Sequence, residues 1–522
     1  MDPIETVAPG SGTTINLSLI SHTNAGKTTL ARTLLGRDVG EVRDAAHVTD
    51  LATGYVLVQR AEDTLMLWDT PGFGDTARLL SRLKMAGNPI GWLLSQVWDR
   101  WRERPLWSSQ QAVKNAREEA DVILYLVNAA EDPASASYVG LEMEVLGWIG
   151  KPVVVLLNQI GRPREDVGHE IARWSGIGPE GLVHAVLPLD AFARCWVQEG
   201  ALLDEVAPLL PPGKQPAMVG LRARWEELNE ARFRQSMAVL GRYLARAAKD
   251  KEAVAEPGWQ DKLAGALATQ GTDNSVERKA MGVLATRLAE ATAHSTDELI
   301  ALHGLSGKAA RKVLERVGDD YAHAAKTPEG AAAALGGLFS GAVGGLAADL
   351  ATGGLTLGGG MIIGGILGAL GATGVARTVN MARGEDSSTM RWSGDFFERL
   401  TVTAILRYLA VAHFGRGRGE WSEGEHPAFW QPIVEQAVAG RAAELKRLQK
   451  AAARGEAPIS AAEQQFPALL ELCARQVLQR LYPEASRRLL PDAGAPAPGS
   501  SAPPQAVDAA VPRPAPDTES SA

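Results

Sequence analysis

One octapeptide constrains this chain more than any other feature. Ser21-His-Thr-Asn-Ala-Gly26-Lys27-Thr28 follows an apolar run, Ile15 to Ile20, and opens a helical pattern, Thr28 to Leu35. Strand, loop and helix in that order fit the P-loop pattern, with Ser21 in place of the first glycine. Backbone amides of such a loop surround a β-phosphate, and Gly26 lets the chain approach closely. Asn24, Ala25, Gly26 and Thr29 fall to the phosphate cradle. Lys27 is placed to neutralise the β- and γ-phosphates, and Thr28 to give its hydroxyl to Mg²⁺. Ser21 is tolerable if the backbone angles at that turn are ordinary.

The octapeptide has a partner. Thr64 to Trp68 is an apolar strand ending in Asp69-Thr-Pro-Gly72, with Asp69 lying 42 residues after Lys27. Asp69 is placed to hold the hydration shell of Mg²⁺, and the Gly72 amide to contact the γ-phosphate. Between the two motifs lies the polar stretch Glu41 to Leu51, where Thr49 is the residue expected to close over the metal. Thr53 competes with it.

The rhythm of the first two hundred residues is that of an α/β sheet. Gly54 to Gln59 and Thr64 to Trp68 read as an antiparallel pair. Val122 to Val127 and Val153 to Leu157 are near-continuous apolar runs, as strands covered on both faces require. Val183 to Leu187 is a weaker sixth strand. The expectation is a doubly wound, mostly parallel six-stranded P-loop domain over residues 13–212. An insertion at 77–120 carries Trp92, Trp98, Trp101 and Trp107, aromatics expected to pack a helix pair against the sheet. Movements of the nucleotide-sensing segments are expected to pass through it.

After residue 212 the pattern reads as helix throughout. Leu221, Trp225, Leu228, Phe233, Met237, Leu240 and Leu244 make an amphipathic stripe. We divide this part into a helical domain (213–326), a glycine-rich hairpin (327–383) and a C-terminal helical part (384–489), with helix resuming at about Arg391. Residues 1–12 read as a flexible N-terminus, and the Ala/Pro/Ser-rich residues 490–522 as a disordered tail.

Here the residues carry a resemblance. Thr-Asn-Ala-Gly-Lys-Thr followed by Asp-Thr-Pro-Gly resembles the bacterial GTPases of the Era and TrmE type. Gly36-Arg-Asp-Val-Gly-Glu-Val, Ala46-His-Val-Thr49, Asp190-Ala-Phe-Ala-Arg-Cys-Trp-Val-Gln-Glu199 and His413-Phe-Gly-Arg-Gly-Arg-Gly419 resemble a family of bacterial GTPases with a C-terminal domain of unknown function. The resemblance implies a switch protein that binds GTP and GDP with Mg²⁺ and hydrolyses GTP. Asn24 occupies the position at which such GTPases often carry an asparagine that helps bind K⁺; bracing of the loop is the other reading. Phe73 stands where a water-orienting glutamine is found in Ras-like proteins, so intrinsic turnover is expected to be slow.

Base recognition departs from the family pattern. Asn-Lys-x-Asp should follow the fifth strand, and the chain has Asn158-Gln159-Ile160-Gly161. Asn158 is present, whereas the guanine-reading aspartate is replaced by Gly161, and Asp166 lies five residues beyond. The Ala191 amide is placed to contact the base carbonyl. GTP is the favoured ligand by resemblance, with an ATPase or nucleotide-promiscuous enzyme as the rival reading.

Composition narrows the partners. A net charge of −8 from 53 basic and 61 acidic residues gives no electrostatic drive toward nucleic acid. Cys195 and Cys473 have no metal-ligand spacing and read as buried or reduced thiols. Without a secretory signal at the N-terminus, the expected location is the cytoplasm. Glycine is the anomaly: of 55 in the chain, sixteen lie between Gly330 and Gly374. Gly337, Gly341 and Gly345, then Gly360, Gly364 and Gly368, recur every four residues, which suits a hairpin with glycine seams, a glycine zipper. Each arm is near the shortest length that spans a bilayer. Association with the inner face of the cell membrane, or a membrane-remodelling role regulated by nucleotide, therefore stands as a rival reading. A guanine nucleotide, an unidentified protein or membrane surface, and a second copy in a homodimer are the partners considered.

Overall fold

The computed structural model describes residues 12–36, 51–85, 87–96, 103–159, 168–189, 195–253, 274–305, 381–383, 389–414, 429–454, 459–483 and 485–486. Thr49, Gly161, Asp166, Ala191, Trp98, Trp101, the glycine cluster from Gly330 to Gly374, the extreme N-terminus and the tail lie outside the described residues.

Six strands form one sheet: β1 (Thr14–Ser21), β2 (Thr53–Arg60), β3 (Asp63–Asp69), β4 (Val122–Asn128), β5 (Val153–Asn158) and β6 (Val183–Pro188). Their order is β2-β3-β1-β4-β5-β6, with β2 antiparallel to β3 and every other pair parallel. This is the fold of a P-loop GTPase. The strand period of two divides β4 between two cores. Val122, Leu124 and Leu126 face one, and Ile123, Tyr125 and Val127 face the other.

Each face has its own helices. On the first lie α1 (Lys27–Leu35), α7 (Trp196–Val206) and α8 (Gln215–Lys249). On the second lie α2 (Thr76–Leu83), α3 (Pro89–Ser95), α4 (Arg104–Glu118), α5 (Ser137–Ile149) and α6 (Gly168–Trp174). Among its described residues the 77–120 insertion holds three helices and not a pair. Its core residues are Leu79, Leu83, Ile90, Leu93, Leu106 and Val113, whereas Trp92 and Trp107 are only half-buried. It packs on α5 and β1, while α8 reaches β2 and β3 on the opposite face. Among the described residues the helical region meets the sheet through α8.

Helix α8 spans 35 residues and begins at a proline-containing first turn, where a missing N–H costs nothing. Its Met218, Leu221 and Trp225 join the sheet core, and Phe233, Leu240 and Leu244 continue that core into the helical region. One apolar cluster thus runs across residue 212. Around α8 pack α9 (Asn274–Leu302), α10 (Gly394–Ala412), α12 (Ala442–Arg454) and α13 (Ile459–Leu481), and α11 (Trp430–Ala439) packs on α10 and α13. Gly241 is required where α8 meets α13, because a Cβ there would overlap the ring of Pro467. Cys195 and Cys473 are both free and buried.

The region is not helix throughout. Short strands β7 (Lys251–Ala253), β8 (Met381–Arg383) and β9 (Thr389–Trp392) form an antiparallel sheet in the order β7-β9-β8. Arg391 lies in β9 rather than in a helix, and α10 starts after Ser393, whose hydroxyl accepts the Phe396 N–H at 3.2 Å. Segments 327–383 and 384–489 share this sheet, since β8 and β9 pair across their boundary. Strands of three or four residues are too short to show a period.

Candidate functional site

The loop between β1 and α1 turns on two left-handed residues, Asn24 at φ 67° and Gly26 at φ 92°. A Cβ on Gly26 would meet the Asn158 side-chain nitrogen at 2.7 Å, so the glycine is needed both for its angle and for that approach. Ser21 has no positive φ, which explains why it is tolerated in place of glycine. Asn24 is exposed at the loop and makes no side-chain hydrogen bond within it.

Lys27, at the first position of α1, is 7% exposed. Its Nζ donates to the Ser21 hydroxyl at 2.8 Å and to the His22 carbonyl at 3.2 Å. Burial lowers its pKa to about 8, against the opposing pull of the Asp69 and Glu142 carboxylates. Thr29 follows in the same turn, half-buried.

The Thr28 hydroxyl donates to Asp69 Oδ2 at 2.7 Å, joining the first turn of α1 to the end of β3. Asp69 is 1% exposed, and its Oδ1 has no hydrogen-bond partner. Burial raises its pKa to about 6, offset in part by the Thr28 hydrogen bond and by Lys27. A buried, half-satisfied carboxylate beside a threonine hydroxyl is the hard-oxygen donor set that suits Mg²⁺, most of whose ligands are phosphate and water. Among the described residues no cluster of three or more His, Cys, Asp or Glu forms another metal site.

Gly72 completes the close approach. A Cβ on it would stand 2.8 Å from Thr23 Cα and 2.9 Å from Lys27 Nζ. The next residue is pinned: Phe73 N–H donates to the Ser21 carbonyl at 2.9 Å, and Thr23 N–H to the Phe73 carbonyl at 3.0 Å. The Phe73 ring is fully buried. Asn158, also fully buried, donates from its side-chain amide to the Ala25 carbonyl at 2.8 Å. It therefore supports the loop directly. Thr53 is exposed, and its hydroxyl donates to the nearby Leu51 carbonyl at 3.3 Å.

One cluster escaped the motif reading. Glu142 on α5 is fully buried, and its carboxylate accepts from His22 Nδ1 at 2.6 Å, the Thr76 hydroxyl at 3.0 Å and the Tyr125 hydroxyl at 2.8 Å. Burial beside that carboxylate raises the Tyr125 pKa well above its usual value. A sequence signal existed: Val139, Glu142, Met143 and Leu146 share the buried face of α5, where an acid is out of place.

A family described as 50S ribosome-binding GTPase matches residues 16–159, and a family described as a domain of unknown function, DUF3482, matches residues 181–471. No curated protein matches the chain. Among solved structures, Era from Aquifex aeolicus bound to GDP and aluminium fluoride is 22% identical, over 38% of this chain and 57% of that one, with a TM-score of 0.29. An NFeoB variant from S. thermophilus bound to GMPPNP is 16% identical, over 55% of this chain and 97% of that one, with a TM-score of 0.23. The chain spans little more than half the length of the Era structure. Matched over more than half of its own length, the chain belongs to the DUF3482 family, with a P-loop GTPase domain at its N-terminal side.

Proposed function

We propose that this protein is a molecular switch that binds GTP and hydrolyses it to GDP. The observation that carries the reading is the pairing of Thr28 with Asp69 across the mouth of the P-loop, one buried Asp69 oxygen being left without a partner. Thr28 and Asp69 would hold Mg²⁺ there, with Thr49 as the further expected ligand by sequence, and the ion would supply positive charge against the phosphates. The Asn24 to Gly26 backbone and Thr29 cradle the phosphates, and Lys27 leaves the Ser21 hydroxyl to meet them. The Gly72 amide reads the γ-phosphate, Asn158 steadies the loop, and Ala191 meets the base. Phe73 offers no hydrogen bond to a water, which supports slow intrinsic turnover, with K⁺ at Asn24 as the compensating charge.

The nucleotide signal leaves the site through β3, which ends at Asp69 and lies against α8. Among the described residues no helix is long and apolar enough to cross a membrane. A membrane or protein contact of a cytoplasmic protein, at the inner face of the cell membrane, falls to the glycine-rich residues 327–383 by their sequence alone.

Titration with GTP, ATP and their diphosphates tests the reading. Micromolar GTP binding that Lys27→Ala abolishes is expected. Equal affinity for ATP would instead support the nucleotide-promiscuous enzyme that Gly161 suggests. Turnover indifferent to K⁺ or Na⁺ would remove the cation role of Asn24.

A further inference from the structure

The carboxylate of Glu142 joins segments that no motif connects. His22 belongs to the P-loop, and its carbonyl accepts from Lys27 while its ring donates to Glu142. Against a carboxylate, which only accepts, Nδ1 carries the proton. The ring is held flat by stacking on Tyr138 at 4.3 Å, and Tyr138 is tied in turn to Glu131 at 2.8 Å. Thr76 is the first residue of α2 and follows directly on the segment Asp69–Asp75. Tyr125 supplies a third donor from β4.

Packing does not call for an acid here. Val139, Met143 and Leu146 show that this face of α5 fills its core with apolar side chains. Burying a carboxylate costs several kcal/mol unless donors satisfy it, and removing one donor leaves the remainder exposed to that cost. Such a group fixes one arrangement of the chain segments that supply its donors. The segment after β3 is thereby gripped at two points: at Phe73 by backbone hydrogen bonds to the P-loop, and at Thr76 by Glu142. Gly72 lies just before the first grip, against Lys27 Nζ.

We propose that Glu142 is a positioning residue for GTP hydrolysis, which through His22 and Thr76 holds the P-loop and the segment Asp69–Thr76 in the register where Lys27 and Gly72 meet the γ-phosphate together. This rests on the GTPase reading above. Loosening the Thr76 grip lets the Gly72 amide drift from Lys27 without disturbing the loop that cradles the β-phosphate. Chemistry suffers and nucleotide binding does not.

The test measures single-turnover GTP hydrolysis and GDP affinity separately, on the full chain with Mg²⁺. Glu142→Gln, which keeps the shape, and Thr76→Val are each expected to slow hydrolysis roughly 10- to 100-fold while GDP affinity stays within about twofold. Thr76→Ser, which retains the hydroxyl, is expected to recover most of the rate. Added to Glu142→Gln, Thr76→Val should cost little more, because both break one network. Should Glu142→Gln fail to fold, the Thr76→Val and Thr76→Ser pair decides alone. Hydrolysis that Lys27→Ala abolishes but that ignores Glu142→Gln and Thr76→Val overturns the positioning role and leaves the GTPase reading intact. Equal losses of rate and affinity, or a Thr76→Ser as slow as Thr76→Val, also overturn it. An inactive parent protein sinks both.

Discussion

The two faces of the GTPase sheet hold their helices by different physics. On the α8 face the contact is mainly an apolar seam, in which Trp225 lines a small cavity with Leu17, Leu34, Leu57 and Leu67, joined there by the buried Glu199 of α7. On the α5 face the apolar core is interrupted by a carboxylate and three donors, placed between the P-loop and the start of α2. Apolar contact is nondirectional and grows with buried area, so it tolerates small sliding. Hydrogen bonds to a buried charge are directional and fail abruptly. The face that docks the helical region thus relies mainly on adhesion, with ion pairs such as Arg222–Asp204 around it, and the face that frames the phosphate site relies on alignment.

Trp225→Ala attacks the seam and should have the largest effect on stability. Loss of about 3–5 kcal/mol is expected in denaturant unfolding, with GDP affinity of the folded fraction unchanged. A variant that unfolds the helical region alone would show that the seam joins two independent units, contrary to the single core that crosses residue 212.

Asp69→Asn sharpens the contrast from the side of the site. Because burial raises the Asp69 pKa from 3.8 to about 6, its contribution to stability is present in full below the unfolded value and lost as pH rises through 6. At pH 8 the nucleotide-free Asn variant should therefore be the more stable, by about 3 kcal/mol, and the difference should close toward pH 4. Thermal melts across that range measure it, and Mg²⁺ should no longer support hydrolysis. Lys27 runs the other way: burial lowers it from 10.5 to about 8, so its contribution is lost as pH falls through 8. Near neutral pH both charges stand buried, a cost that phosphate and metal offset.

Lys214→Met should have the smallest effect. Lys214 Nζ reaches Asp121 at 2.7 Å and the Thr14 carbonyl at 2.8 Å at the rim of the seam, where the lysine side chain is 31% exposed. About 1 kcal/mol or less is expected, screened by salt. A larger loss in a salt-dependent melt would mean that the α8 face also depends on a directional lock.

The sheet was legible because its residues announce themselves locally. Val122 to Val127 and Val153 to Leu157 are apolar enough to be central strands in any context, and the Ser21–Thr28 loop needs a strand before it and a helix after it. Thr28 and Asp69 meet because each ends or begins an element whose place the sheet dictates. Glu142 was hidden for the opposite reason. Its partners come from β1's loop, β4 and α2, at separations set only by the finished fold. The strands β7, β8 and β9 were missed because they are only three or four residues long: Thr-Met-Arg-Trp does alternate, with Met390 and Trp392 buried, but over too short a run to be told from chance. The tryptophans of the insertion misled in degree: Trp92 covers the edge of a core filled by leucine, isoleucine, valine and alanine, and Trp107 is only half-buried.

The length of α8 has a mechanical consequence. At 35 residues it is about 52 Å long. Met218, Leu221 and Trp225, near its N-terminal end, join the core of the sheet, so the sheet holds a long rod toward that end. A tilt of about 5° at that grip sweeps the far end through about 4–5 Å, nearly the rise of one helical turn. The far end is Lys249, and the chain runs on from there into β7, whose pairing with β9 ties it to β8. Because α9, α10, α12 and α13 pack along the same rod, such a tilt would carry the helical region with it as a body.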